Sequence, residues 1–142
     1  VTRASLQLLT IKKTDLQSIY KHCDSVYPNE ACGILAGRDN RVHKVYTLVS
    51  EIPSPTFYQI DSKEHFRVIR EMREAGIDLV SIYHSHPGAP AFPSSTDVDL
   101  AYYPEAVYII VSLMDRQNPV AKGYNIIKGE ITEVPLNVIS EE

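Results

Sequence analysis

Apolar and polar positions change period several times along the chain, and each change marks an element. Leu6, Leu8 and Ile11 alternate loosely, as in a short strand. Thr14 and Gln17 stand at capping-box spacing within a stretch where Leu16, Ile19, Tyr20, Cys23 and Tyr27 recur at helical steps. That pattern predicts a helix with one apolar stripe, closed by Pro28. Ala31 to Ala36 and Val42 to Val49 are strand-like runs separated by Gly37 and the turn residues Arg38-Asp39-Asn40, which predicts a hairpin. Beyond Pro53 and Pro55, Phe57 to Ile60 reads as a further extended segment. Asp61 and Glu64 repeat the capping signature before a second helix reaching about Ala75. Phe66, Val68, Ile69 and Met72 form its expected buried set, and Gly76 stands just past its end.

Leu79 to Ser85 returns to strand alternation, which places Val80 and Ile82 on one face with His84 and His86, and Leu79, Ser81 and Tyr83 on the other. The segment from Pro87 to Pro93 holds three prolines, a glycine and two alanines, a rigid surface loop with little capacity for backbone pairing. Ser94 and Asp97 again have capping spacing and open a short helix that Pro104 stops after Tyr103. Ala106 to Leu113 is a continuous apolar run, as in a strand covered on both faces. Val120 to Ile127 and Ile131 to Val134 extend the sheet, and the tail beyond Leu136 reads as peripheral. The order β-α-β-β-β-α-β-α-β-β-β predicts an α/β (α+β) fold, a mixed sheet sandwiched by helices, in a single domain over residues 1–142.

Composition narrows the partners. A formal charge of −4 and a pI near 5.7 supply no basic field to gather phosphates, so neither nucleic acid nor an acidic membrane is expected as a partner. No apolar run approaches bilayer-spanning length, and the first residues lack the apolar core of a signal peptide. Cys23 and Cys32 lie in apolar segments, where buried reduced thiols are expected, and a cytoplasmic location follows. Oligomeric state is left open.

The candidate chemistry gathers around Glu30, His84, His86, Ser94 and Asp97. Residues two apart on a strand share a face about 6.5–7 Å apart along the chain, so two imidazoles can close on one ion or simply end the strand with hydrogen bonds. Asp97 can cap a helix or return toward the histidines as a third ligand; Ser94 is by default an N-cap. Spacing alone does not select Glu30 over Glu51 or Glu64 as a base.

Together these residues form a known pattern. A glutamate is followed by His84-Ser85-His86-Pro87, seven residues then lead to Ser94, and Asp97 stands three residues further on. Glu30 lies in Pro28-Asn29-Glu30-Ala31-Cys32-Gly33-Ile34-Leu35. In these positions the chain resembles the JAMM (MPN-type) zinc metallopeptidases of the prokaryotic, stand-alone kind. Asp99 and Ser95 permit a shifted alignment, but the family offset selects Ser94 and Asp97. The resemblance implies an α-β-α sandwich similar to that of cytidine deaminases. It also implies one Zn2+ per chain, held by His84, His86 and Asp97 with a bound water. Glu30 then acts as the general base and Ser94 as donor to the oxyanion, with Ser85 turned away as a support. The implied substrate is a peptide or isopeptide bond at the C-terminus of a ubiquitin-like or sulfur-carrier protein, whose extended tail would pass near Phe57, Tyr58 and Ile60. The rival within the fold is a noncatalytic MPN-type scaffold or interaction module, whose relatives usually lose motif residues. A nucleobase deaminase expects His-x-Glu with Pro-Cys-x-x-Cys, and the chain has neither.

Overall fold

The computed structural model describes residues 8–140; Leu6 of the expected first strand lies outside them. The elements are β1 (Leu9–Lys12), α1 (Lys13–Val26), β2 (Cys32–Arg38), β3 (Arg41–Leu48), α2 (Ser62–Ala75), β4 (Asp78–His86), α3 (Ser95–Asp99), β5 (Val107–Ser112), β6 (Val120–Ile127), β7 (Glu130–Val134) and β8 (Leu136–Ile139). All eight strands join one mixed sheet in the order β7-β6-β5-β4-β2-β3-β1-β8. The expected mixed sheet between helices is therefore the architecture found, with β4 flanked by antiparallel β2 and parallel β5.

Each face of the sheet carries its own core. Ile19 and Cys23 of α1 pack with Leu35, Tyr83, Ile109 and Val111 on one side. Val68 and Met72 of α2 pack with Ile34, Ile82, Tyr108 and Ile110 on the other. The apolar run of β5 is thus divided between two cores, which is why it shows no polar alternation. Fully burying an aliphatic side chain such as Ile109 or Ile110 contributes roughly 1.5–3 kcal/mol, so the central strands anchor both layers.

Helix α2 ends as the sequence predicts. The Asp61 carboxylate accepts from the Glu64 amide at 3.3 Å, and Gly76 takes the left-handed conformation at φ 71° that a side chain would resist. Phe66, however, is 68% exposed, outside the face that carries Val68 and Met72. Helix α1 begins at Lys13, straight from β1, so Thr14 lies inside the helix and no side chain caps it; Asp15 supplies negative charge in its first turn. Helix α3 stops at Asp99 rather than Tyr103, because the Tyr108 hydroxyl takes the Tyr103 amide at 3.0 Å and the Tyr103 hydroxyl meets His65 at 3.1 Å.

Three strand expectations need correction. Phe57 to Ile60 forms no strand; Ile60 makes only a single bridge to Ser50. The tail is not merely peripheral, since Leu136–Ile139 pairs in parallel with β1 at the sheet edge. In β4, Leu35 pairs with Ser81 but Ala36 with Leu79, so one extra residue bulges from the strand. The bulge puts Val80 in the α1-side core and Leu79 against the α2-side core, so Val80 and Ile82 do not share a face. Beyond the bulge alternation holds, with Ile82 facing α2 and Tyr83 facing α1.

Tyr83 lies flat over Gly33 of β2. A Cβ at Gly33 would meet the Tyr83 ring at 2.2 Å and the Tyr46 carbonyl at 2.6 Å. The Tyr83 hydroxyl in turn meets His22 Nδ1 of α1 at 2.7 Å, bracing helix to strand directly behind the histidine pair. Gly33→Ala is therefore expected to displace Tyr83 and lower stability by roughly 1–3 kcal/mol in urea denaturation. A change below about 0.5 kcal/mol, within the range of ordinary surface substitutions, would show that the contact is not needed.

Candidate metal centre and active site

The site forms where β4 ends. Register sets it up: Cys32 of β2 pairs with His84 of β4, and the Ser85 amide donates to the Ala31 carbonyl at 3.1 Å, so the antiparallel ladder brings Glu30 alongside His86. Ser85 points to the opposite side, where its Oγ accepts from the Ala31 amide at 2.8 Å. The Glu30 amide donates to the Ser54 carbonyl at 2.7 Å. Glu30 is thus held through its own amide and through the pairing of Ala31 beside it, while Oε1 of its carboxylate has no hydrogen-bond partner.

His84 and His86 are 1% and 5% exposed, so neither is a solvated strand end. Their Nε2 atoms stand 3.3 Å apart. Asp97 closes the triangle, Oδ1 lying 3.1 Å from His84 Nε2 and Oδ2 3.0 Å from His86 Nε2. Oδ2 also accepts from the Ser94 amide at 2.9 Å, while Ser94 Oγ accepts from the Asp97 amide at 3.1 Å. The capping box and the third ligand position are therefore one structure, and the cap fixes the carboxylate that faces the histidines. Asp99 is exposed, so the shifted alignment is not the one the fold uses.

These distances fit a metal. Zinc bonds of about 2.0–2.1 Å in tetrahedral geometry separate neighbouring ligand atoms by about 3.3 Å. His86 Nδ1–H donates to the Pro90 carbonyl at 2.8 Å, which leaves the Nε2 lone pair of the neutral ring aimed at the carboxylate. At 3.0 Å from the carboxylate, Nε2 offers that lone pair to a cation, or a hydrogen bond to Asp97 once the ring is protonated. His84, His86 and Asp97 are together the group of potential ligands found among the described residues.

The surroundings shift the two carboxyls in opposite directions. Burial alone would raise the Asp97 pKa, but hydrogen bonds from His84, His86 and the Ser94 amide hold the carboxyl far below its ordinary range. Burial opposes charge on His86, yet its bond to Asp97 and the Pro90 carbonyl turn the net shift upward. Glu30 behaves oppositely. Burial pushes its carboxyl up to about 8, His86 opposing and Asp97 adding to the rise. Its Oε1 is buried with no hydrogen-bond partner.

Glu30, His86 and Ser94 share one cleft of about 260 Å3 with Pro55, Thr56 and Gly88. All five residues singled out from sequence are thus brought together. Tyr58 is one of three candidates expected near the cleft from sequence, but two contacts with the histidines were not anticipated. The Pro90 carbonyl orients His86, and the Tyr58 ring stacks on His84 with centroids 4.8 Å apart and planes at 25°. Nothing in a run such as Thr56-Phe57-Tyr58 marks which ring will meet a histidine 26 positions further on. Cys23 and Cys32 are buried free thiols, and although Cys32 pairs across the ladder with His84, neither belongs to the group of potential ligands.

Comparison with known proteins gives the chain a family. The chain is 37% identical over 141 residues to the CysO-cysteine peptidase of Mycobacterium tuberculosis, covering 98% of this chain and 97% of that one. It is 31% identical to the desampylase of Pyrococcus furiosus, over 76% of each chain. A solution structure from Desulfitobacterium hafniense superposes with a TM-score of 0.86 at 36% identity, covering 94% of both chains. Residues 12–124 match the family described as prokaryotic homologs of the JAB domain, and the chain belongs to that family.

Proposed function

We propose that this protein is a zinc-dependent peptidase that hydrolyses a peptide or isopeptide bond at the C-terminus of a ubiquitin-like or sulfur-carrier protein. The observation that carries the reading is the triangle of His84 Nε2, His86 Nε2 and Asp97, with edges of 3.0–3.3 Å, beside a buried and unpartnered glutamate. Its likeness to a CysO-cysteine peptidase across nearly its whole length, and to a desampylase, supports the substrate class. A scaffold has no use for a carboxylate left without a partner at the mouth of such a triangle.

His84, His86 and Asp97 would hold one zinc and leave a fourth position open. Zinc there supplies a Lewis acid and brings the pKa of a water from about 15.7 toward about 7. Glu30 faces the cleft with no competing hydrogen bond on Oε1, free to take the proton of the attacking water and pass it to the departing amine. Ser94 accepts the Asp97 amide through an oxygen lone pair, which leaves its own proton to donate to the oxyanion formed on the substrate carbonyl. Pro87, Gly88 and Ala89 wall the cleft with small groups that admit a main chain.

Three outcomes test this reading. Gently purified protein should carry close to one zinc per chain by elemental analysis, and His86→Ala far less; no site-dependent zinc after resupply would refute the centre. Glu30→Gln should keep the zinc and lose hydrolysis of a carrier-protein conjugate by roughly 10²–10⁴-fold, followed by mass spectrometry of the released C-terminus. Undiminished turnover would remove Glu30 from the mechanism. The metal-free protein should also show the cost of the buried carboxyl. Because its folded pKa of about 8 lies above the reference value of 4.5, the native state holds the proton more tightly, and stability is lost as pH rises between those values. The melting temperature of metal-free Glu30→Gln should gain on metal-free wild type from pH 5 to pH 8. A constant difference would place Glu30 in water.

A further inference from the structure

The two histidines of the triangle are held differently. His86 donates Nδ1–H to the Pro90 carbonyl at 2.8 Å, the usual arrangement for a ring that must present Nε2 in a fixed direction. His84 has no equivalent. Its Nδ1 is buried without a hydrogen-bond partner, although the residue is only 1% exposed. What lies against the ring is Tyr58, with centroids 4.8 Å apart and planes inclined at 25°, a stacked contact. The stack and Nε2 together fix the ring: one restrains its plane, the other meets Asp97 at 3.1 Å.

Tyr58 is itself well placed to do this. It projects from the segment between β3 and α2, whose base is closed by the Ser50–Ile60 bridge, by the Glu51 amide on the Gln59 carbonyl at 2.8 Å and by the Gln59 amide on Ser50 Oγ at 2.9 Å. The same segment supplies the Ser54 carbonyl to the Glu30 amide and the Pro55 and Thr56 wall of the cleft. Tyr58 packs against the α2-side core, and with His84, Asp97, Tyr108 and Ile110 it lines a small cavity. A ring that loses electron density to a bound cation is attracted more strongly to the face of a tyrosine, so the contact is worth most when the centre is loaded.

We propose that Tyr58 is a positioning residue for His84, replacing with an aromatic face the hydrogen bond that this ligand lacks. The proposal rests on the metal reading above and concerns which residue sets the ligand's orientation. The face does the work and the hydroxyl does not, so Tyr58→Phe should behave as wild type. Tyr58→Leu fills much of the same space without a planar face. It should hold zinc about tenfold less tightly in competition with a chelator, the lower end of the effect seen when a group orienting a ligand is removed. Its cobalt-substituted form should show an altered visible absorption spectrum, and turnover should fall in kcat more than in KM.

A residue that only filled space would lower the melting temperature of the metal-free protein and leave the cobalt spectrum unchanged. Equal zinc affinity and an unchanged cobalt spectrum in Tyr58→Leu therefore overturn the proposal, as does a loss in Tyr58→Phe as large as that in Tyr58→Leu. Should Tyr58→Leu fail to fold, histidine-labelled wild-type protein decides by NMR. The stack requires upfield-shifted His84 ring protons relative to His86 and cross-relaxation with the Tyr58 ring, and their absence refutes it. Zinc uptake by wild type that does not depend on His86 overturns the metal reading and this inference with it. His86-dependent zinc in wild type, held equally by Tyr58→Leu, overturns this inference alone.

Discussion

Because Cys32 of β2 lies opposite His84 of β4, a glutamate 54 residues before His84 arrives beside the histidine pair without a loop of its own to carry it there. Everything else at the site hangs on that pairing. The Ser85 amide and Oγ fasten Ala31 from both sides, and the Tyr83 ring fills the space left by the missing side chain of Gly33. Both contacts lie between the same two strands, so the register cannot slip by one residue without turning His84 and His86 into the α1-side core. The remaining ligand comes by a different route, on a helix of five residues whose N-terminal cap shares its carboxylate with the histidines. A sheet register and a helix cap, each an ordinary local device, intersect at one point.

Two carboxylates meet at that point and the fold drives them apart. Asp97 receives a backbone amide and faces both imidazoles, which stabilises its charged form. Glu30 receives nothing on Oε1 and is buried, which favours its neutral form. Such a division of environment separates a group that must stay charged from one that must gain and lose a proton in turn. A cation between the imidazoles and Asp97 would also stabilise the charged form of Glu30, bringing its pKa toward the range where both transfers proceed.

How far this could be read from sequence depended on whether the determinant was local. The caps of α2 and α3 are set by residues three apart, and both were legible, as was β5 from its unbroken apolar run. The strand period placed His84 and His86 on one face because no bulge lies between them and Ile82. It failed a few residues earlier, where the extra residue near Val80 reversed the sides, since a bulge is fixed by the partner strand and leaves no mark in the period. The β8 strand failed for the same reason: four residues at the chain's end gain strand geometry only from β1, at the other end. Of the site residues, spacing alone left the histidine pair, Asp97 and Ser94 with two roles each and did not choose Glu30. The family pattern chose among them, and in the structure the Asp97 carboxylate that completes the cap also faces both histidines.

The placement of unsatisfied polar atoms gives this arrangement its cost. Native proteins leave few buried donors or acceptors unpaired, because each forfeits roughly 1–3 kcal/mol. Among the described residues, Glu30 Oε1 and His84 Nδ1 are two such atoms, and they lie at one site. Pairing Glu30 with a neighbouring donor would stabilise the empty fold and, in the same stroke, occupy the lone pair that has to reach a water proton. His84 differs, because its free Nδ1 serves no proton transfer; its ring is held by a face instead of by a hydrogen bond to an acceptor. The two rings are thus restrained by different means, one by a hydrogen bond and one by a stack, so only His86 draws on a backbone acceptor.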